Sequence, residues 1–106
     1  MVIVLFKFRL RSDIDMAEFE QTFVRMVGLA SEMPGFLSVE TYSAEDGSGL
    51  GVVRFESEEA LQAWKTHPEH VTTQQRGRET FFDTYHMTVA TSIIREYDWQ
   101  PEAVGK

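Results

Sequence analysis

The sequence predicts an α+β fold: a four-stranded antiparallel sheet of ferredoxin-like β-α-β-β-α-β order, with helices on one face. Three observations predict it. An opening β-rich segment alternates between two side-chain sets. An apolar stripe at 3.6-residue spacing follows it and stops at a Pro-Gly pair. Two further β-rich segments then flank an Asp-Gly turn, ahead of a second helical region and a closing strand. A chain of 106 residues has room for one domain and one core, so residues 1–106 form a single unit with 98–106 as a tail.

In the first segment, Val2–Leu10, one alternating set is Val2, Val4, Phe6 and Phe8; the other is Ile3, Leu5, Lys7 and Arg9. One set is wholly apolar and the other half apolar, so both faces of this strand are expected to be covered. Asp15 followed by Glu18 is an aspartate form of the capping box. Phe19, Phe23, Met26, Val27, Ala30 and Met33 make the stripe of the first helix, and Pro34-Gly35 ends it. Phe36–Ser43 and Leu50–Glu56 are the next two strands, joined by a hairpin loop over Ala44–Gly49. Ser57 is a helix N-cap, Glu58 and Glu59 suit the first turn, and Ala60, Leu61 and Trp64 form the buried side. His67-Pro68 breaks that helix, and Pro68 opens another that is expected to run to about Phe82. Tyr85–Tyr97 is the expected last strand and Asp98–Lys106 the tail.

Helices on one face leave the other face of such a sheet bare. A bare face carrying large apolar residues marks an interface, and packing against a second copy, sheet on sheet, covers it most simply. A homodimer is therefore expected.

Composition narrows the function classes. Seventeen acidic against ten basic residues give a formal net charge of -7, which opposes nucleic acid and anionic membrane as partners. No apolar run approaches the roughly 20 residues of a membrane helix. The opening segment runs into Lys7, Arg9 and Arg11 without a small-residue cleavage pattern, so it is expected to be a strand and not a signal peptide. With no cysteine there is no disulfide, thiolate metal site or cysteine nucleophile. That suits a reducing compartment, and the expected location is cytoplasmic.

RNA-recognition motifs share the element order, and Gly49-Leu50-Gly51-Val52-Val53-Arg54-Phe55 superficially resembles their core signature. Leu50 and Val52 stand where base-stacking aromatics belong, and Ser48 where a basic residue belongs. The helical region over Ser57–Phe82 is also much longer than in that family. RNA binding is not expected.

Residues able to carry chemistry are densest between Trp64 and Tyr85. His70, Gln74 and Arg78 lie at i, i+4 and i+8 along one helical face, with Phe81 extending the stripe. Bordered by Trp64, Phe81, Phe82 and Tyr85, they are suited to line an apolar pocket with few polar groups. The structural alternative for each is a core tryptophan, a satisfied semi-buried histidine, or a surface ion pair. His67-x-x-His70 is no metal site by itself, because Pro68 breaks helical register and three converging ligands are needed. No metal is expected.

Met33-Pro34-Gly35-Phe36, then Phe55-Glu56-Ser57-Glu58-Glu59-Ala60-Leu61-Gln62-Ala63-Trp64, then His67-Pro68-Glu69-His70, then Gly77-Arg78 with Tyr85, resemble the antibiotic biosynthesis monooxygenase family. The resemblance covers about Val2 to Tyr97. It implies a dimeric α/β barrel and oxygenation of small aromatic substrates, quinols or anthrones, by dioxygen without a cofactor. Such a substrate ionises to a delocalised anion that itself reduces dioxygen. The protein then has to supply flat walls, a base and a cation in a dry pocket. On that basis His70 is the candidate base, Arg78 or Arg54 the cation, and Trp64, Gln74, Phe81 and Tyr85 the substrate-binding walls. The resemblance has departures. Members with an asparagine in the first strand have no counterpart here, since the chain contains no asparagine and Phe8 takes about that place. In the haem-degrading branch the iron-binding histidine comes about ten residues after the tryptophan, where this chain has Gln74. Haem degradation is thus the least expected reading. The other alternative is a non-catalytic dimeric protein that binds a small molecule.

Overall fold

In the computed structural model, which describes residues 1–101, strand β1 (Val2–Leu10) is an inner strand of the sheet. It pairs antiparallel with both β3 (Ser48–Phe55) and β4 (Phe82–Ala90). Strand β2 (Phe36–Ser43) adds outside β3, giving the order β2-β3-β1-β4. Val2 lies opposite Phe55 and Val4 opposite Val53. Because alternate side chains share a face, Val2, Val4, Phe6 and Phe8 join Val53 and Phe55 under the helices. On the opposite face Leu5 is 38% exposed and Lys7 is exposed, since the helices pack on the other side.

Helix α1 (Met16–Ser31) begins where the Asp15 carboxylate accepts from the Glu18 N–H at 3.1 Å. Only half of the expected capping box forms. The Glu18 side chain instead takes the guanidinium of Arg76, tying α1 to α3 (Pro68–Arg76). Arg25 and Glu69 make a second such tie, at 2.9 Å. The Pro-Gly stop is a type II turn: Phe36 N–H donates to Met33 O at 3.2 Å, and Gly35 has φ 85°. The Gly35 carbonyl also accepts from Glu56 N–H at 2.8 Å, so the turn is stitched to the end of β3.

Helix α2 (Glu58–Lys65) is capped by Ser57, whose hydroxyl accepts from Ala60 N–H at 3.1 Å. It sets Trp64 into the core with Ala30 and Phe55, and Met26, Leu29, Met33, Phe36, Val53, Ala60 and Leu61 pack around these three. In α3 the cap is His67, whose Nδ1 accepts from Glu69 N–H at 3.2 Å, with Pro68 in the first turn.

Three boundaries differ from the sequence expectation. The third strand starts two residues early, at Ser48, because Gly47 N–H closes onto Ala44 O and shortens the loop. The α-helix stops at Arg76 and gives way to one π-helical turn, Gly77–Phe81, where Phe82 N–H reaches back to Gly77 O. Gly77 packs against the Phe82 ring here, and a Cβ on it would meet Cε2 at 2.7 Å. The last strand covers Phe82–Ala90 instead of Tyr85–Tyr97. It ends because Ala90 pairs with Ile3, and β1 has almost no backbone left beyond that point. Residues 91–101 continue without regular structure. Of the expected tail, residues 102–106 lie outside the described residues. Among the described residues no helix is long and apolar enough to cross a membrane.

Candidate functional site

His70 lies flat on Trp64, with ring centroids 4.1 Å apart and planes 13° from parallel. The break at His67-Pro68 makes this contact. It turns α3 back so that a residue one turn into it covers the last turn of α2. His70 Nδ1 is 3.1 Å from the Trp64 carbonyl and 3.2 Å from Gln74 Nε2. Gln74 Nε2 also donates to Lys65 O at 3.0 Å. Burial holds the imidazole below its ordinary range; the bond to the Trp64 carbonyl raises it and the neighbouring His67 lowers it further. Burial thus favours the neutral ring, the state a base requires.

A second group lies on the same face of the sheet, further along β1. Phe6 contacts Tyr85 at 5.2 Å and Phe82 at 5.4 Å, and Phe8 contacts Phe82 at 5.4 Å. Tyr85 pairs with Phe8 and Met87 with Phe6, so both point to the helical side. They are nevertheless 43% and 50% exposed. The helices thus leave the β4 margin of their own face open. Trp64 packs with Phe55 and Val53, and Val53 pairs with Val4, two residues before Phe6 on β1.

Of the residues chosen from sequence, Trp64, His70 and Gln74 come together as one group, and Tyr85 joins the phenylalanine group. Phe81 is a core residue: it is 3% exposed, and its ring meets Phe19 at 5.4 Å. Arg78 is exposed on the π-helical turn, with no ion pair among the described residues. Arg54 does not join the group. It lies between Val53 and Phe55 in β3 and so points from the opposite face, where it pairs with Glu40 at 3.0 Å. Glu40 also accepts from the Tyr42 hydroxyl at 2.7 Å, and that bond, ahead of Arg54, holds its carboxyl below the usual range. Phe6, Met87 and Val89, which share the helical side of the β1–β4 pair, were not among the residues chosen from sequence. Their signal was the alternation of the strands, once the β1–β4 register is known.

Two surface depressions lie apart from these groups. One of about 290 Å³ is bounded by Pro68, Glu69, Thr72 and Thr73; another of about 260 Å³ is mostly charged and lies beside Arg11, Glu18, Arg76 and Glu79. No group of three or more metal-ligating side chains gathers among the described residues. For haem, the residue at the expected ligand position is Gln74, whose amide is spent on Lys65 O and is no axial ligand of the known kinds.

A β-α-β-β-α-β antiparallel sheet with its helices on one face defines the protein as a ferredoxin-like α+β domain. The chain belongs to the antibiotic biosynthesis monooxygenase family, whose model matches residues 1–76. The uncharacterized protein YqjZ of Bacillus subtilis (strain 168) is 39% identical over 70 residues, a match covering 66% of this chain and 61% of that protein. A putative antibiotic biosynthesis monooxygenase from Deinococcus radiodurans superposes with TM-score 0.80 at 13% identity, over 94% of this chain and 100% of that one. SnoaB, a cofactor-independent oxygenase from Streptomyces nogalater, gives 0.73 at 19% identity, over 89% and 94%. Rv0793 from Mycobacterium tuberculosis gives 0.77 at 21% identity, over 91% and 98%. At these identities the structural likenesses are of fold.

Proposed function

We propose that this protein is a homodimeric, cofactor-independent monooxygenase acting on a small aromatic substrate of the quinol or anthrone type. The observation that carries the proposal is the part-buried His70 stacked on Trp64, on the same face of the sheet as an open margin lined by aromatic rings. A flat substrate lies against Tyr85 and Phe6, His70 takes its acidic proton, and Arg78 balances the anion. The anion passes an electron to dioxygen; one oxygen atom is incorporated at the ring carbon and the other leaves as water. The family and the SnoaB fold support this reading.

The dimer is supported by two exposed apolar regions. One is the bare face, where Leu5 is exposed and Ile3, Leu50 and Val52 are half-buried. The other is the segment after β4, where Ile94 is 95% and Trp99 84% exposed.

Oxygen consumption measured with a panel of dihydroxynaphthalenes and anthrones tests the activity. Uptake of dioxygen in proportion to substrate, lost in His70→Ala, is the expected result. Saturable binding of the same compounds without uptake above a protein-free control would replace the enzyme by a binding protein.

A further inference from the structure

We propose that Trp64 acts on His70 through its main chain as well as its ring, presenting Nε2 as the free base, with Gln74 as a positioning residue. The inference rests on the reading of His70 as the base. The Trp64 carbonyl lies in the last turn of α2, where helix carbonyls lack intrahelical partners and carry the negative end of the helix dipole. It accepts from His67 N–H at 3.1 Å, and the Nδ1 of His70 approaches it at 3.1 Å. A carbonyl can only accept, so a bare Nδ1 there would set lone pair against lone pair. The neutral ring therefore carries its proton on Nδ1. This leaves the lone pair on Nε2, and no buried side-chain nitrogen lacks a partner among the described residues, so Nε2 reaches solvent or substrate.

Gln74 does the positioning. Its amide nitrogen donates to Lys65 O at 3.0 Å, which sets the amide's orientation, and with Nδ1 protonated the 3.2 Å approach of Gln74 Nε2 to it is a packing contact, not a hydrogen bond. Oxygen at that position would face Lys65 O, so the amide has one arrangement. Carbonyl on one side, amide on the other and indole beneath together restrain the ring against rotation about its own axis. The titratable neighbour acting on it is His67, whose Nδ1 is engaged in capping α3. This removes Gln74 from the substrate walls expected from sequence.

The test is nitrogen-15 NMR of the histidine rings in the intact protein, alongside the pH profile of oxygen uptake. Wild type at neutral pH should show His70 with Nδ1 protonated and Nε2 bare. Gln74→Leu, with neither donor nor acceptor, should keep that tautomer because the carbonyl sets it. Gln74→Glu sets a carboxylate against Nδ1–H and should raise the His70 titration midpoint, and with it the acid limb of the rate profile, by about one pH unit. A proton on Nε2 in wild type would overturn the inference, as would a tautomer switch in Gln74→Leu or an unmoved midpoint in Gln74→Glu. The NMR readouts need no turnover. The predicted tautomer and shift in a protein that consumes no oxygen would therefore uphold the inference and refute the proposed reaction.

Discussion

A Cβ on Gly35 would stand 2.6 Å from the Cβ of Ala60, so the turn after α1 and the first turn of α2 meet with no space for a methyl group. Gly35 also holds φ 85°, which L-residues resist. Gly35→Ala should therefore destabilise the fold by about 2–4 kcal/mol, combining backbone strain with overpacking. Urea unfolding followed by circular dichroism checks this, and a loss below about 0.5 kcal/mol would mean that the turn relaxes freely.

That turn also shows how much of the fold was legible in the sequence. Pro34-Gly35 announced a helix stop, and Asp15, Ser57 and Pro68 announced three helix starts, because each acts through bonds to backbone only a few residues away. The end of β4 was not legible. Thr91–Tyr97 remains β-rich, but the strand stops where β1 runs out of backbone, a long-range fact. The same holds at the site. Helical spacing brought His70 and Gln74 together, and the Gln74–His70 contact is local. Arg54 could not be assigned to a face until β3 had a register, and the stacking of His70 on Trp64 depends on how α3 folds back after Pro68.

Burial holds His70 below the ordinary imidazole range in the folded chain, so the unfolded chain binds its proton more readily. Stability is then unaffected by this group above the ordinary histidine range, about pH 6.5, and falls as pH drops from there through the folded value. Wild type should lose more stability between pH 7 and 5 than His70→Gln, whose side chain does not titrate. Denaturation midpoints of the two proteins across that range decide it, and parallel curves would show that the ring is not desolvated.

The bare face should hold two copies together. Sedimentation velocity at micromolar concentration should give twice the chain mass, since an obligate interface of this type buries roughly 2,000 Å² or more. Leu5→Asp, placing a charge in the middle of that face, should yield monomers with an unchanged circular dichroism spectrum. A wild-type monomer would remove the interface; a dimeric Leu5→Asp would move it to another surface.

Haem added to the protein should bind weakly and survive a reductant. Phe8 packs against Phe6, Phe19 and Phe82 where an asparagine would serve, and the Gln74 amide is committed to Lys65 O. Loss of the Soret band with iron release, well above a protein-free control, would contradict this.

The last prediction separates the two members of the stacked pair. If His70 removes the substrate proton, His70→Ala should lower turnover by about 10²–10⁴-fold with the fold retained. The ring is only part-buried and its deletion leaves the indole in place. Trp64→Ala removes a side chain that is 7% exposed and packed with Ala30 and Phe55, so it should cost about 3–5 kcal/mol of stability. It should also weaken turnover indirectly, because the platform under His70 is gone. Trp64→Phe keeps an aromatic floor and the main-chain carbonyl, so it should recover most of the rate and much of the stability. In wild type, turnover should rise with pH through the lowered His70 value and level off above it, since only the neutral ring accepts a proton. The rate effect and the stability effect thus fall on different residues, and each is measured independently. A His70→Ala protein that keeps wild-type turnover would exclude His70 as the base, leaving a substrate that ionises before it binds or a proton taken by Tyr85.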